Sequence, residues 1–361
     1  MAARKMARLW IFLLGLTLVP GGAGTSFAQS TSVTQSTSVT QSTSVTQSIK
    51  IQEWTVPFEK GRPRDPSVAP DGSVWFVGQQ NHYLARFDPK SQRFSQLKLD
   101  DQAGPHNLIV GRDGIVWYAG NRQGYIGRHD PKGGHIDKIK LPPAARDPHT
   151  LVFDKSQRHI WFTAQWSNLV GRLNIKTRHV DLMKVPTPDA RPYGITLAAD
   201  GTVWVALLGS NKLASVDPAS LELTEHLLPD LDAGPRRLIA TTNNQIYYVD
   251  YSLAELGHLD PVSGKVRRWP TPAGDGADSG AGSGSGPYAM AVDAKNRIWF
   301  VETGVQPNTL VGFDVSSEEF VSVTAIPSGA GSVRHMVYHA PTHSLWFGTD
   351  QGTLAQARLP E

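Results

Sequence analysis

Apolar and polar positions along this chain follow a long repeat rather than a helical period. An aromatic residue followed by a second aromatic or an aliphatic one recurs at Trp75-Phe76, Trp117-Tyr118, Trp161-Phe162, Trp204-Val205, Tyr247-Tyr248, Trp299-Phe300 and Trp346-Phe347, about 42–52 residues apart. Around each pair the same order returns. A Pro-containing turn leads into an apolar run, as in Gly104-Pro105-His106-Asn107-Leu108-Ile109-Val110, and an Asp-Gly turn (Asp71-Gly72, Asp113-Gly114, Asp200-Gly201) precedes the aromatic pair. A third run such as Gly171-Arg172-Leu173 follows, and a polar/apolar alternation such as 179–185 ends the unit. Short runs bounded by Pro, Gly and Asp predict β-strands. Four antiparallel strands per 40–50 residues describe a β-propeller blade, and the pairs mark seven of them.

Ring closure supports the count. The last repeat reaches Glu361 after three strands, and an unmatched strand, Ile51-Gln52-Glu53-Trp54-Thr55-Val56-Pro57, precedes the first. Pairing that strand with the C-terminal three completes blade seven and leaves no open sheet edge. Residues 49–361 are thus expected to form one all-β domain, a seven-bladed β-propeller. A length of 361 residues would otherwise suggest two domains.

Composition changes this picture mainly at the N-terminus. Arg4, Lys5 and Arg8 carry the chain's whole net charge of +3, so residues 29–361 are neutral. Behind those bases lie the apolar run 9–19 and the small-x-small sequence Ser26-Phe27-Ala28, together the pattern of a secretory signal peptide over 1–28. An 11-residue apolar run is too short to span a membrane. The mature chain is expected to be exported, periplasmic or secreted, without a transmembrane span, and monomeric. Its neutrality removes the case for nucleic acid as a partner. Residues 29–48 repeat Ser-Thr-Ser-Val-Thr-Gln and form a polar spacer. With no Cys in the chain, disulfides, thiolate metal sites and cysteine nucleophiles are excluded.

Candidate chemistry sits at one repeat position. Strand order places the Pro turns and the segments after each aromatic pair on one rim, where a propeller's funnel receives ligands. The residues after the Pro are Arg64, His106, His149, Tyr193, Arg236 and Tyr288; in blade seven Val333 replaces Pro and Arg334 follows, with His335 next. Arg, His and Tyr bind anions and move protons, and they also serve as ordinary rim residues bonded to carbonyls. Glu302 is expected on the same rim as a ligand contact or a salt-bridge partner, and Trp166 as a stacking surface or as packing against a neighbouring blade. The Gly/Ser-rich insertion 274–286 lies there too, as a gate or a tolerated insertion.

Arg191-Pro192-Tyr193-Gly194-Ile195-Thr196, followed by Asp200-Gly201-Thr202-Val203-Trp204 and preceded by 185–190, resembles the repeat of the virginiamycin B lyase (streptogramin lyase) family. That resemblance runs over all seven repeats. It implies a seven-bladed propeller, a magnesium ion, and opening of a cyclic depsipeptide by elimination at its ester bond. The family's catalytic pattern is a Pro-His turn in one blade and Glu-Pro-His in the next, in the last two blades. Here those positions read Tyr288, then Ser332, Val333 and Arg334. A similar constellation occurs at Pro105-His106 and Asp147-Pro148-His149, two blades that are adjacent in the ring. In a pseudo-symmetric ring His106 and His149 would then exchange protons with substrate, Asp147 would orient an imidazole or a metal-bound water, and a divalent cation or Arg236 would stabilise an enolate. The alternative is a non-catalytic propeller that binds a polypeptide or glycan on its funnel rim; a metal-dependent lactonase would need more acidic funnel ligands than this chain offers.

Overall fold

The computed structural model describes residues 48–59, 62–274 and 284–360. The predicted signal segment, nearly all of the spacer and most of the 274–286 insertion lie outside these residues. Within them, 28 strands form seven four-stranded antiparallel sheets. Blades one to six span 63–98, 105–140, 148–184, 192–227, 235–270 and 287–325. Blade seven combines 336–358 with the strand Lys50–Thr55, which pairs antiparallel with Thr353–Arg358. The expected closure is therefore realised, and no sheet edge is left open where the ring begins.

The aromatic pair is what ties blade to blade. Successive residues of a strand point to opposite faces, so the two members of each pair pack against different neighbours. Trp75 packs forward among Leu108, Val116 and Tyr118 of blade two, while Phe76 packs backward against Trp346 of blade seven. The pattern repeats: Phe162 meets Trp117, Val205 meets Trp161, Tyr248 meets Trp204, Phe300 meets Tyr247, and Phe347 meets Trp299. Each inter-blade core is thus built from the first aromatic of one repeat and the second of the next.

The small residue of the third strand has an equally direct cause. Gly171 lies opposite Phe162, and a Cβ on it would stand 2.1 Å from the Phe162 ring. Only a residue without Cβ lets the ring lie flat on the neighbouring backbone. Gly171→Val is expected to destabilise the propeller by about 2–3 kcal/mol through overpacking, read as a lower midpoint in denaturant unfolding with an unchanged slope. A midpoint equal to the wild type's would mean the ring has other room.

One local irregularity decides what faces the axis. In blades one to six the first strand carries one extra residue just after its Pro, for example between Pro105↔Gly120 and Leu108↔Tyr118. A β-bulge re-aims side chains, and here it turns residues at the start of the innermost strand toward the centre of the ring.

Candidate functional site

The side chains that follow the Pro turns form one connected polar cluster around the axis. Arg64 Nη2 donates to His106 Nε2 at 3.2 Å. The His106 and His149 rings are 3.8 Å apart between centroids at 37°, and His149 lies 4.2 Å from Tyr193. Tyr193 and Tyr288 share a hydrogen bond between their hydroxyls. The Arg236 guanidinium covers Tyr288 at 3.6 Å and the exposed edge of Tyr251 at 4.2 Å. Six of the seven predicted rim residues, from six different blades, are thereby linked in series.

The bulge adds a second residue per blade that sequence reasoning missed. Asp65, Asn107, Thr150 and Arg237 each directly follow a predicted residue, and all four are buried. Asn107 Nδ2 donates to Asp65 Oδ2 at 2.9 Å, and Arg237 Nη1 donates to Thr150 Oγ1 at 3.1 Å. Arg237, from blade five, also lies 3.7 Å from Asp65 of blade one and so reaches across the ring. Asp65 lies equally far, 3.7 Å, from Arg64. Asp65 adopts φ 47°, a left-handed conformation that Asp tolerates better than most residues.

The remaining predicted residues have other main partners, although Arg334 also borders the cluster with its guanidinium 6.0 Å from the Tyr288 ring. Asp147 does not join the histidines among the described residues. Its carboxylate accepts the Trp166 and Ser167 amides at 2.5 and 3.1 Å and the Ser167 hydroxyl, capping the 165–168 loop of its own blade. Trp166 is 66% exposed on the rim, with the Arg191 guanidinium 4.9 Å from its ring. Glu302 is fully buried and accepts from the Ala273 amide at 2.8 Å and from Thr309 Oγ1, so it anchors the start of the blade-five-to-six connection. Arg334 is held by Asp350 at 2.6 Å, and the same carboxylate also receives Arg62 at 2.9 Å. Its neighbour His335 takes the inward place instead, close enough to Asp65 for each to bias the other's ionisation.

Electrostatically the channel is cationic with neutral imidazoles. Burial, reinforced by the Arg64 and Arg237 charges, pushes His106 and His149 well below the usual histidine range. His335 is pushed down to about 4 by burial, which the Asp65 charge only partly offsets. Burial opposes ionisation of Asp65, but Arg64, His335 and Arg237 hold it below the ordinary carboxylate range. The tyrosines split. Burial and its neighbour raise Tyr193, whereas Arg236, Arg237 and Arg64 outweigh burial and lower Tyr288.

The donor set does not fit magnesium. Among the described residues no three His, Asp or Glu side chains converge on one point. Asp147 is engaged by its loop, and guanidinium groups flank both histidines, which repels a cation.

Sequence comparison decides the family. The family model for virginiamycin B lyases matches residues 32–216 and 178–357, that is, the spacer end and essentially the whole ring. The chain belongs to the virginiamycin B lyase family. Residues 192–216 of blade four fall within both matched segments, as a repeating ring allows. No curated protein sequence matches the chain. Among solved structures, the virginiamycin B lyase of Staphylococcus aureus superposes with TM-score 0.75 at 21% identity, over 86% of this chain and 100% of that one. Its catalytically inactive His-to-Ala variant with quinupristin gives TM-score 0.76 at 20% identity, over 86% and 100%. A Kuenenia stuttgartiensis hydrazine synthase gives TM-score 0.66 at 13% identity, over 84% and 97%. These structural likenesses speak for the fold alone.

Proposed function

We propose that this family member is an exported propeller that receives a small-molecule or peptide ligand in its central channel, entering from the Pro-turn rim. The observation that carries this is the connected cluster of Arg64, His106, His149, Tyr193, Arg236 and Tyr288, which contains buried nitrogens with no partner. Core packing alone leaves few such groups, because an unpaired buried donor costs about 1–3 kcal/mol. Export rests on the signal pattern of residues 1–28.

A second reading, elimination at an ester, is favoured by the His106–His149 stack, since His149 is neutral and its Nε2 is able to accept a proton. The base would take the proton on the carbon adjacent to a carbonyl, and that C–H pair would form the C=C bond. The C–O bond on the next carbon would break, and a carboxylate would depart toward the guanidinium groups. No step is routed through magnesium.

Incubation with quinupristin, followed by calorimetry and mass spectrometry, separates the two. Binding with an intact ring supports the receptor reading; ring opening without added water supports elimination, and no binding of either kind removes quinupristin-like peptides as ligands. If rings open, His149→Ala is expected to slow turnover about 10²-fold or more. Asp147→Asn should change it by less than tenfold, because that carboxylate serves the 165–168 loop.

A further inference from the structure

Donors outnumber acceptors in the buried channel, and the excess defines the ligand. An arginine side chain only donates, so the Arg64 Nη2 contact makes His106 Nε2 the acceptor and leaves the proton of the neutral ring on Nδ1. That Nδ1 faces the His149 backbone, but Arg64 Nε, Arg236 Nε, Arg237 Nε and Arg237 Nη2 have no hydrogen-bond partner. Against these four donor nitrogens the cluster offers Asp65 Oδ1 and, in one tautomer, His335 Nδ1 as acceptors without a hydrogen-bond partner. Arg64 and Arg237 are 6% and 4% exposed, so water meets little of this demand. The charges tell the same story. Arg334 is matched by Asp350, whereas Arg64 and Arg237 share the Asp65 carboxylate and Arg236 lies over tyrosine rings.

We infer that the channel holds a carboxylate-bearing ligand, its anionic group received by Arg64, Arg236 and Arg237. This names the ligand class for the receptor reading above and rests on it. A carboxylate supplies only acceptors, in the planar geometry that guanidinium groups match two bonds at a time. The half-exposed Tyr251, under Arg236 and edge-on to Tyr288, offers apolar ring surface beside that group. The preferred ligand therefore carries a flat apolar portion next to its carboxylate.

Sodium benzoate and benzamide, compared at matched ionic strength with sodium chloride, provide the test on the full chain. Benzoate is expected to raise Tm by roughly 2 °C at ten times its Kd, and benzamide to leave it unchanged. Arg236→Gln, a half-buried position, should weaken benzoate binding at least tenfold in calorimetry while far-ultraviolet circular dichroism stays the same. Arg237→Lys serves as a second variant that keeps the charge but loses the fork, with the same expected weakening. Equal shifts from benzoate and benzamide, both lost in Tyr288→Ala, would overturn the anion site and leave the ligand channel standing. No shift from either compound would count against both. A phosphate response stronger than that of benzoate would overturn the assignment to a carboxylate.

Discussion

Asp65→Asn is expected to lower the folding stability by about 3 kcal/mol, the scale for removing one partner from a buried charge cluster. The substitution isolates charge. Asn also tolerates the left-handed backbone found at residue 65, and its amide oxygen still accepts from Asn107 Nδ2. What disappears is, among the described residues, the one carboxylate paired with Arg64 and Arg237. Arg64 and Arg237 lie 3.7 Å from that carboxylate, so both lose their compensation without losing a hydrogen bond. Two consequences follow from the same bookkeeping of charge. Adding Arg64→Gln to Asp65→Asn should restore part of the loss, so the two effects combine non-additively by about 1 kcal/mol or more. Benzoate should stabilise Asp65→Asn more than it stabilises the wild type, because the ligand then supplies the missing anion. Chemical denaturation at pH 7.5 of the four forms in this cycle reads all three effects; a single variant within about 0.5 kcal/mol of the wild type would show that Asp65 does not balance the arginines.

Legibility of the fold and of the site differed for a physical reason. The aromatic positions, and the Gly or Ala opposite the second of them in six of the seven blades, are forced by packing between blades, so they recur and could be read as a period. The lone strand at Ile51 was readable because an unpaired edge has a definite cost. Within the site, the residue after each Pro was readable because it occupies one repeat position. The second inward residue was hidden by the bulge. A regular strand sends residue i+1 to the opposite face, and that rule places Asp65, Asn107, Thr150 and Arg237 away from the channel. The bulge cancels the alternation for one step, and no residue type in the sequence announces it. Asp147 failed to join the histidines for a different reason. Its spacing from His149 imitated a catalytic pattern, but the amides of Trp166 and Ser167 lie nearer and need a cap. Glu302 is a similar case, since an acid beside a long connection first satisfies that connection's backbone. The exchange of Arg334 for His335 at the inward place goes with the loss of Pro in blade seven, where Val333 stands at that position and the shorter first strand, Met336–His339, begins only after His335.

Stability is expected to fall steeply as pH drops from about 6.5 toward 4. In the unfolded chain a histidine takes up its proton near pH 6.5. In the folded channel His335 resists protonation down to about 4, and His106 and His149 are also held well below 6.5. Within that window the unfolded state binds more protons than the native state, so stability rises with pH. Each histidine contributes about 1.4 kcal/mol per pH unit when its two states differ fully, and the three together about 4. The groups facing them reinforce the direction. Arg64 and Arg237 act on all three rings, Arg236 adds its charge at His149, and Asp65 alone opposes them at His335. Asp65 remains ionised through the window, because its neighbours hold it below the ordinary range. His129, His226 and His258, partly buried in the outer strands, shift in the same direction for reasons of burial. The channel's share is therefore measured by substitution. Urea unfolding at pH 7.5, 6 and 5 gives the proton uptake of the wild type, and His149→Asn should reduce it by about one proton. An unchanged slope in that variant would mean that the imidazole is already protonated in the folded channel. Such a result would require a counter-charge beside it that Asp65 does not supply, and it would turn the pair of neutral rings, on which the elimination reading depends, into a pair with one proton too many.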